Sequence, residues 1–340
     1  MSDAAFLDPP HLRSSDSLPV RTATPDLLDF DKVRAHITQA IERGRYRGTE
    51  NVQDYLLEHR CLAAVGTEVY ATLAGILCFG RQPQLLFPRA VVDIGHYRRT
   101  DATSYDVVHL EKDIGGTIFD QLQRVETYLW TNTHHGMSIG DSFQRVEVHE
   151  YPRVVIRELC VNMLAHRDYT NYQSAARVQL FRNRVEWSSP GGLPPGITIE
   201  NILMEQASRN PYILLILHEA GYVEAFGQGL DTVVRVLDNE GLPPPRFHDT
   251  GNSFIVSVYG RQLDISSGEG IFANLSESQR KILSYLRVRE EATPREIREL
   301  LADRAERSIQ RDLKGLADAG LIEAVGETRS LHYRLGELGS

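Results

Sequence analysis

The chain lacks the cysteine pattern of a disulfide or zinc framework. Its 340 residues include three cysteines, Cys61, Cys78 and Cys160. They show no metal-ligand spacing and sit in apolar runs, which predicts buried free thiols in a reducing cytosol. A basic segment followed by an apolar core is missing from the N-terminus, and no apolar run reaches about 18 residues. The expectation is therefore a cytoplasmic protein with neither signal peptide nor membrane span. A surplus of Lys and Arg is missing too. The formal net charge of -9 argues against a protein that coats nucleic acid nonspecifically and confines any DNA contact to a local patch. The apolar, aromatic and charged fractions are ordinary for a globular protein, and the length allows two or three domains.

What is present centres on one stretch, Pro152 to Tyr169, PRVVIRELCVNMLAHRDY. Pro152 suits the first turn of a helix, where its missing N–H is not needed, and the residues after it carry apolar side chains at helical spacing. Glu158, Asn162 and His166 recur at i, i+4 and i+8, so they lie along one side of that helix. A carboxylate, a carboxamide and an imidazole aligned in this way are costly to bury without partners. They either face solvent as the wet stripe of an amphipathic helix or line a polar pocket. Two glycine-bearing turns follow, SSPGGLPPGIT at 188–198 and FGQGL at 226–230.

Composition divides the rest of the chain. Residues 1–24, with DPPHLRSSDS and little apolar content, read as a flexible arm. Residues 25–150 read as an α/β domain. It begins with a helix after Thr24-Pro25-Asp26, then has short helical pieces at 52–57, a small-residue helix ATLAGILCFG and a strand AVVDIGHYR. An amphipathic helix from about 116 to 132 and a strand FQRVEVHEYP complete it. The adjacent His134 and His135 read as surface, because no carboxylate is fixed beside them by spacing. Residues 151–262 hold the Glu158 helix and a hairpin of ARVQLF and RVEWSS turned at Arg182-Asn183. Helical runs follow at 199–217, broken at Arg209-Asn210-Pro211, and at 230–238, before a closing strand SFIVSVYG. Helices over a mixed sheet result, an α/β (α+β) fold.

Residues 263–274 mark a linker. The segment 275–340 carries capping boxes at Ser276 with Gln279 and at Thr293 with Glu296, a third helix over 305–319 and two short strands around a turn. That is the order of a winged helix-turn-helix domain. On its third helix Arg304, Arg307, Arg311 and Lys314 fall on one face, and Ser308 and Gln310 add hydrogen-bonding groups suited to phosphates or base edges. Arg329 sits where a wing could reach the backbone. Glu306 and Asp312 lie between the cations, so a salt-bridged, solvated helix is the competing reading.

The motifs RELCVNMLAHRDY (157–169), SPGGLPPGIT (189–198), RNP (209–211), GYVEAFGQGLDTV (221–233) and GNSFIV (251–256) are weak singly and specific as a set. Over roughly residues 150–260 they resemble the GHKL ATPases, most closely the divergent branch labelled the RecG-like C-terminal ATPase domain. The resemblance implies a Bergerat-like helix-over-sheet sandwich that binds ATP and Mg2+. No Walker motif is found, so the label does not imply a helicase.

By the same resemblance the triphosphate would lie near the glycine turns, where backbone N–H groups and a helix N-terminus attract anionic oxygens. Asn162 would hold Mg2+, and Glu158 would polarise the attacking water as general base. The nucleotide site would be completed by His166, Asp168, Ser188, Ser189, Gly191, Gly192, Arg209, Gly227 and Gly229, with the segment between Gly192 and Phe226 as lid. Where the family carries an Asp that reads the adenine amino group, this chain has Ser188 or Ser189, which accepts that hydrogen bond without charge-assisted strength. The function that follows is an ATP-binding, DNA-binding transcriptional regulator, a homodimer on double-stranded DNA. The alternative is an ATPase acting on nucleic acid or a protein partner, with the winged helix as tether.

Overall fold

Asp29 starts the first helix: its carboxylate accepts from the backbone N–H groups of Asp31 and Lys32, and α1 runs Phe30–Glu42. Asn51 caps α2, Val52–Glu58, in the same way. A hairpin of β1, Leu62–Val65, and β2, Glu68–Ala71, then leads into α3, Leu73–Phe79, whose side chains are all buried. The computed structural model describes residues 14–102, 106–139, 145–205, 207–223, 229–261, 275–302, 304–326 and 331–336.

Strands β3, Val92–Tyr97, and β4, Val107–Ile114, come next, followed by α4, Ile118–Asn132, opened by a capping box of Thr117 and Asp120. A small hairpin pairs β5, His135–Ile139, with β6, Arg145–His149. Helix α5, Arg153–Ala165, follows Pro152. Strands β7, Ala176–Leu180, and β8, Arg184–Pro190, turn through Arg182-Asn183, with the Phe181 N–H donating to the Arg184 carbonyl at 2.8 Å. Helices α6, Pro211–Glu219, and α7, Gly229–Asn239, precede β9, Arg246–Asp249, and β10, Ser253–Tyr259.

Six strands make one mixed sheet in the order β4-β3-β7-β8-β10-β9, in which only the β3–β7 pair is parallel. A parallel pair requires a long crossover, and the chain from β4 through α4 and α5 supplies it. Helix α5 is buried nearly all round, between α4 and α7 and against β8. The opposite sheet face carries the more exposed alternate residues, among them Arg177 and Ser188.

The boundary expected at residue 150 does not divide the core. β3 and β4 share the sheet with β7 to β10, and one apolar cluster extends from Ala23 to Val258. The run 199–205 also departs from expectation, forming turns at 199–204 instead of helix. Asn201 accepts from the Thr198 N–H at 2.7 Å and donates to the Gly196 carbonyl at 2.9 Å, an alternative partner for the backbone that competes with helix. The β1–β2 hairpin, β4 and β5 were not legible as strands.

A buried polar cluster ties α1, α2 and α6 together. Glu219, 3% exposed, accepts from Tyr55 Oη at 2.7 Å and meets His59 Nε2 at 2.7 Å and His36 Nε2 at 3.3 Å. Burial pushes its carboxyl up, but those three hydrogen bonds prevail and bring it down to about 2.

The C-terminal segment holds α8, Glu277–Arg289, β11, Glu291–Ala292, α9, Pro294–Leu300, and α10, Glu306–Asp318. It ends with β12, Ile322–Val325, and β13, His332–Leu335, in a three-stranded sheet of order β11-β13-β12. Both capping boxes form as read from sequence. A separate apolar cluster, including Ile282, Leu286, Ile309 and Leu316, holds this unit, and Arg287 fastens it to the main body by donating to the Gly260 carbonyl at 2.6 Å. Among the described residues no helix is long and apolar enough to cross a membrane.

Candidate functional site

Helix α5 delivers Glu158 and Asn162, and His166 caps its C-terminal end. All three open on a cavity of about 360 Å³, a size within the range of small-molecule sites. The floor comes from β8 and β10 through Trp187, Ser189 and Val256, and one wall from Gly191 and Gly192. Ile197, Ile202, Glu205 and Ser208 roof it, and Gly229 and Leu230 bring in the start of α7. Glu158 is 7% exposed. One terminal atom of the Asn162 amide is buried and has no hydrogen-bond partner among the described residues.

Gly229 is a close-approach glycine. A Cβ there would stand 2.9 Å from Asn162 Nδ2 and 3.2 Å from Glu158 Oε2, so glycine lets the start of α7 rest directly on those two side chains, which a larger residue would push back. Gly191 has φ +97°, and a Cβ there would run into Arg209 Nη1 and come within 2.7 Å of Asp168 Cβ. Ser189 Oγ donates to the Met163 carbonyl at 2.8 Å, which commits its proton and leaves lone pairs for a donor in the cavity. Burial, reinforced by the nearby Arg209 cation, brings the His166 imidazole down to about 4, so it is neutral at pH 7.

Among the described residues the cavity lining includes two carboxylates, Glu158 and Glu205, and neither Lys nor Arg. A polyanion could enter only with a cation to offset them. The orphaned Asn162 amide atom and the gap that a Gly229 side chain would fill are consistent with a metal–phosphate group: turned to present oxygen, the carboxamide is a hard ligand of the kind Mg2+ prefers.

Several expected site residues lie elsewhere. Ser188 points to the opposite sheet face, because successive strand residues alternate and Trp187 and Ser189 share the inner one. Asp168 and Arg209 stand behind the glycine turn. Arg209 Nη2 donates to the Gly192 carbonyl at 2.8 Å and Nη1 lies 3.8 Å from Asp168 Oδ2, while Asp168 Oδ1 accepts from Thr170 N and Oγ1 at 2.9 and 2.6 Å. Gly227 lies outside the described residues. His134 Nδ1 sits 2.9 Å from Glu150 Oε2, and His135 Nδ1 lies 2.8 Å from His149 Nδ1. Among the described residues no three or more His, Cys, Asp or Glu side chains are arranged to hold a metal ion.

Two supports escaped the sequence reading. Arg167, 1% exposed, donates to the carbonyls of Val91 at 2.8 Å, Ser174 at 2.9 Å and Arg89, joining the start of β3 to the approach of β7. Asn210, fully buried, donates to the Ala165 and Arg167 carbonyls at 3.0 and 2.8 Å, satisfying the end of α5. The RNP and HRD motifs therefore hold the turn that aims the site.

In the C-terminal unit Arg307, Gln310, Arg311 and Lys314 are exposed on α10 and Ser308 is half-buried. The intervening acids are engaged elsewhere: Glu306 meets Arg298 at 3.4 Å, and the buried Asp312 accepts from Ser278 Oγ at 2.6 Å. Arg307, Arg311 and Lys314 make no ion pair among the described residues. Arg304, just before α10, donates to Ser278 Oγ at 3.0 Å. Arg329 lies outside the described residues.

None of the curated proteins matches this chain. Among solved structures it is similar to the DIP2311 protein from Corynebacterium diphtheriae, with 19% identity and a TM-score of 0.59. The similarity covers 96% of this chain and 65% of that one, so this chain spans about two thirds of that protein's length, and at this identity the likeness concerns the fold. Residues 174–258 match the family described as "Putative ATP-dependent DNA helicase recG C-terminal". That span begins just before β7 and ends within β10; it supports an ATPase-like domain there, and Glu158 and Asn162 on α5 lie ahead of it.

Proposed function

We propose that this protein binds Mg2+ and ATP in the α5 cavity and couples occupancy to double-stranded DNA binding by its C-terminal segment, a winged helix-turn-helix, acting as a homodimeric transcriptional regulator of the cytoplasm. The observation that carries the reading is the meeting of Glu158, Asn162 and His166 with Gly191, Gly192 and Gly229 around one cavity. Asn162 would hold the metal, and the N–H groups at the start of α7 would face phosphate oxygens. Ser189 Oγ accepts from the base amino group, and neutral His166 offers one donor and one acceptor without adding charge. Ile197, Ile202, Glu205 and Ser208 roof the cavity, so a ligand seated against them can bias the placement of the C-terminal unit. When bound, the metal offsets the phosphate charge that the lining carboxylates would otherwise repel.

Support for the DNA partner is the cationic face of α10, where Arg307, Arg311 and Lys314 make no ion pair among the described residues. The second reading, an ATPase acting on a partner, is favoured by the buried Glu158 one turn from Asn162, where a carboxylate can accept a proton from water. Turnover separates the two: a regulator hydrolyses slowly, whereas an ATPase loses turnover in Glu158→Ala and keeps binding.

Calorimetric titration with a non-hydrolysable ATP analogue, with and without Mg2+, tests the site. Magnesium-dependent binding by the wild type that disappears in Asn162→Ala is expected. Absence of binding in both proteins would overturn the nucleotide reading and leave the C-terminal unit as the remaining functional surface.

A further inference from the structure

A second concavity, a groove of about 1020 Å³, lies on the other side of α5, against α1, α4 and the end of α6. Five cationic side chains line it, Lys32, Arg43, Arg45, Arg153 and Arg157, against two carboxylates, Asp120 and Glu126. In a chain with a net charge of -9, that is a local reversal of sign. The two carboxylates are already engaged, Asp120 by Lys32 at 3.4 Å and Glu126 by Arg153 at 3.3 Å. Glu219, behind the groove wall, is taken by His36, His59 and Tyr55.

Arg43 and Arg157 have backbone partners instead. Arg43 Nη1 donates to the Ala220 carbonyl and Arg157 Nη2 to the Gly221 carbonyl, and neither guanidinium pairs with a carboxylate among the described residues. The two guanidinium groups therefore anchor on consecutive carbonyls of one turn of chain. The Arg157 Nε is buried without a hydrogen-bond partner among the described residues. Arg45 strengthens the same turn by donating to the His218 carbonyl at 3.2 Å and the Val223 carbonyl at 2.6 Å. Each guanidinium has five N–H donors, so the carbonyls leave donors in reserve.

We propose that this groove binds a pyrophosphate-type anion, two linked phosphoryl groups either free or carried on an organic molecule. Planar guanidinium forks match phosphate oxygens bidentately, and Arg43 and Arg157, with no carboxylate partner among the described residues, offer two such forks beside one turn. The rings of Phe119 and Tyr222, 5.9 Å apart in the lining, give an organic portion an apolar wall. This site does not depend on the nucleotide reading of the α5 cavity and shares none of that cavity's side chains.

The test is calorimetric titration with inorganic pyrophosphate in Mg2+-free buffer at physiological ionic strength. Wild type and Asn162→Ala are expected to bind alike, and Arg43→Gln with Arg157→Gln to bind at least tenfold more weakly. Lys32→Glu, on an exposed part of α1 outside the carbonyl clasp, reverses a charge in the groove and is expected to weaken binding at least threefold, which keeps the test valid if the double variant fails to fold. Repeating the titration with ADP in Asn162→Ala identifies the source: a tighter fit than pyrophosphate assigns an organic carrier, and an equal fit the free anion. No binding by the wild type, unchanged affinity in Lys32→Glu, or loss confined to Asn162→Ala would each overturn the proposal.

Discussion

Replacing Gly229 by Ala separates stability from ligand binding. The added Cβ would meet Asn162 Nδ2 at 2.9 Å and Glu158 Oε2 at 3.2 Å, whereas carbon contacts are optimal near 3.5–4.0 Å. The amide must therefore retreat by roughly 0.5 Å. Its orphaned atom has no hydrogen bond to break, so the retreat costs the fold little, on the order of 1 kcal/mol as mild overpacking. Exchanging glycine for alanine at the first residue of α7 returns part of the about 0.5–1 kcal/mol that separates the two in a helix interior. The two effects nearly cancel, and the melting temperature should move by no more than about 4 °C in either direction. Ligand binding has no such offset, because Mg2+ requires near-ideal geometry at about 2.0–2.1 Å and a site displaced by about 0.5 Å falls outside productive limits. Calorimetry with the Mg2+–ATP analogue should show at least about a tenfold loss, roughly 1.4 kcal/mol. A Gly229→Ala variant of unchanged melting temperature and unchanged affinity would refute the contact between α7 and the Asn162 amide.

Arg167→Met should destabilise the fold by about 3 kcal/mol or more, because three carbonyls lose their donor, and urea denaturation should show it as a lower midpoint at unchanged slope; a change under about 0.5 kcal/mol would exclude the clasp. The Glu219 cluster sets an acid limit. Its carboxyl titrates near 4.5 when unfolded and about 2 when folded, so the unfolded chain binds the extra proton in that window. The contribution, about 3 kcal/mol, is complete above about pH 4.5 and lost as the pH falls toward 2, and Glu219→Gln should flatten that limb of the pH–stability profile. On α10, Arg307→Ala with Arg311→Ala should weaken all duplexes alike and reduce the salt slope of binding by about two. Unchanged affinity would move the C-terminal unit from a DNA partner to a protein partner.

Local spacing in the sequence determined the helix that carries Glu158, Asn162 and His166, the Arg182-Asn183 turn, both C-terminal capping boxes and the glycines at 191, 192 and 229. Each depends on residues within a turn or two of one another, so periodicity and capping chemistry are sufficient. Strand alternation also contained the choice between Ser188 and Ser189, since Trp187 fixes the inner face and Ser189 shares it. Only the tertiary structure decided that β3 and β4 belong to the sheet of β7 to β10, because a parallel pairing across a long crossover leaves no local mark. The same holds for Arg167, whose role is set only where the Arg89, Val91 and Ser174 carbonyls enclose it. Glu219 meets His36 and His59 across more than 150 residues of chain, and Arg43 after α1 and Arg157 on α5 reach the consecutive carbonyls of Ala220 and Gly221. Those meetings are fixed by packing, which places side chains by volume and burial and not by their distance along the chain.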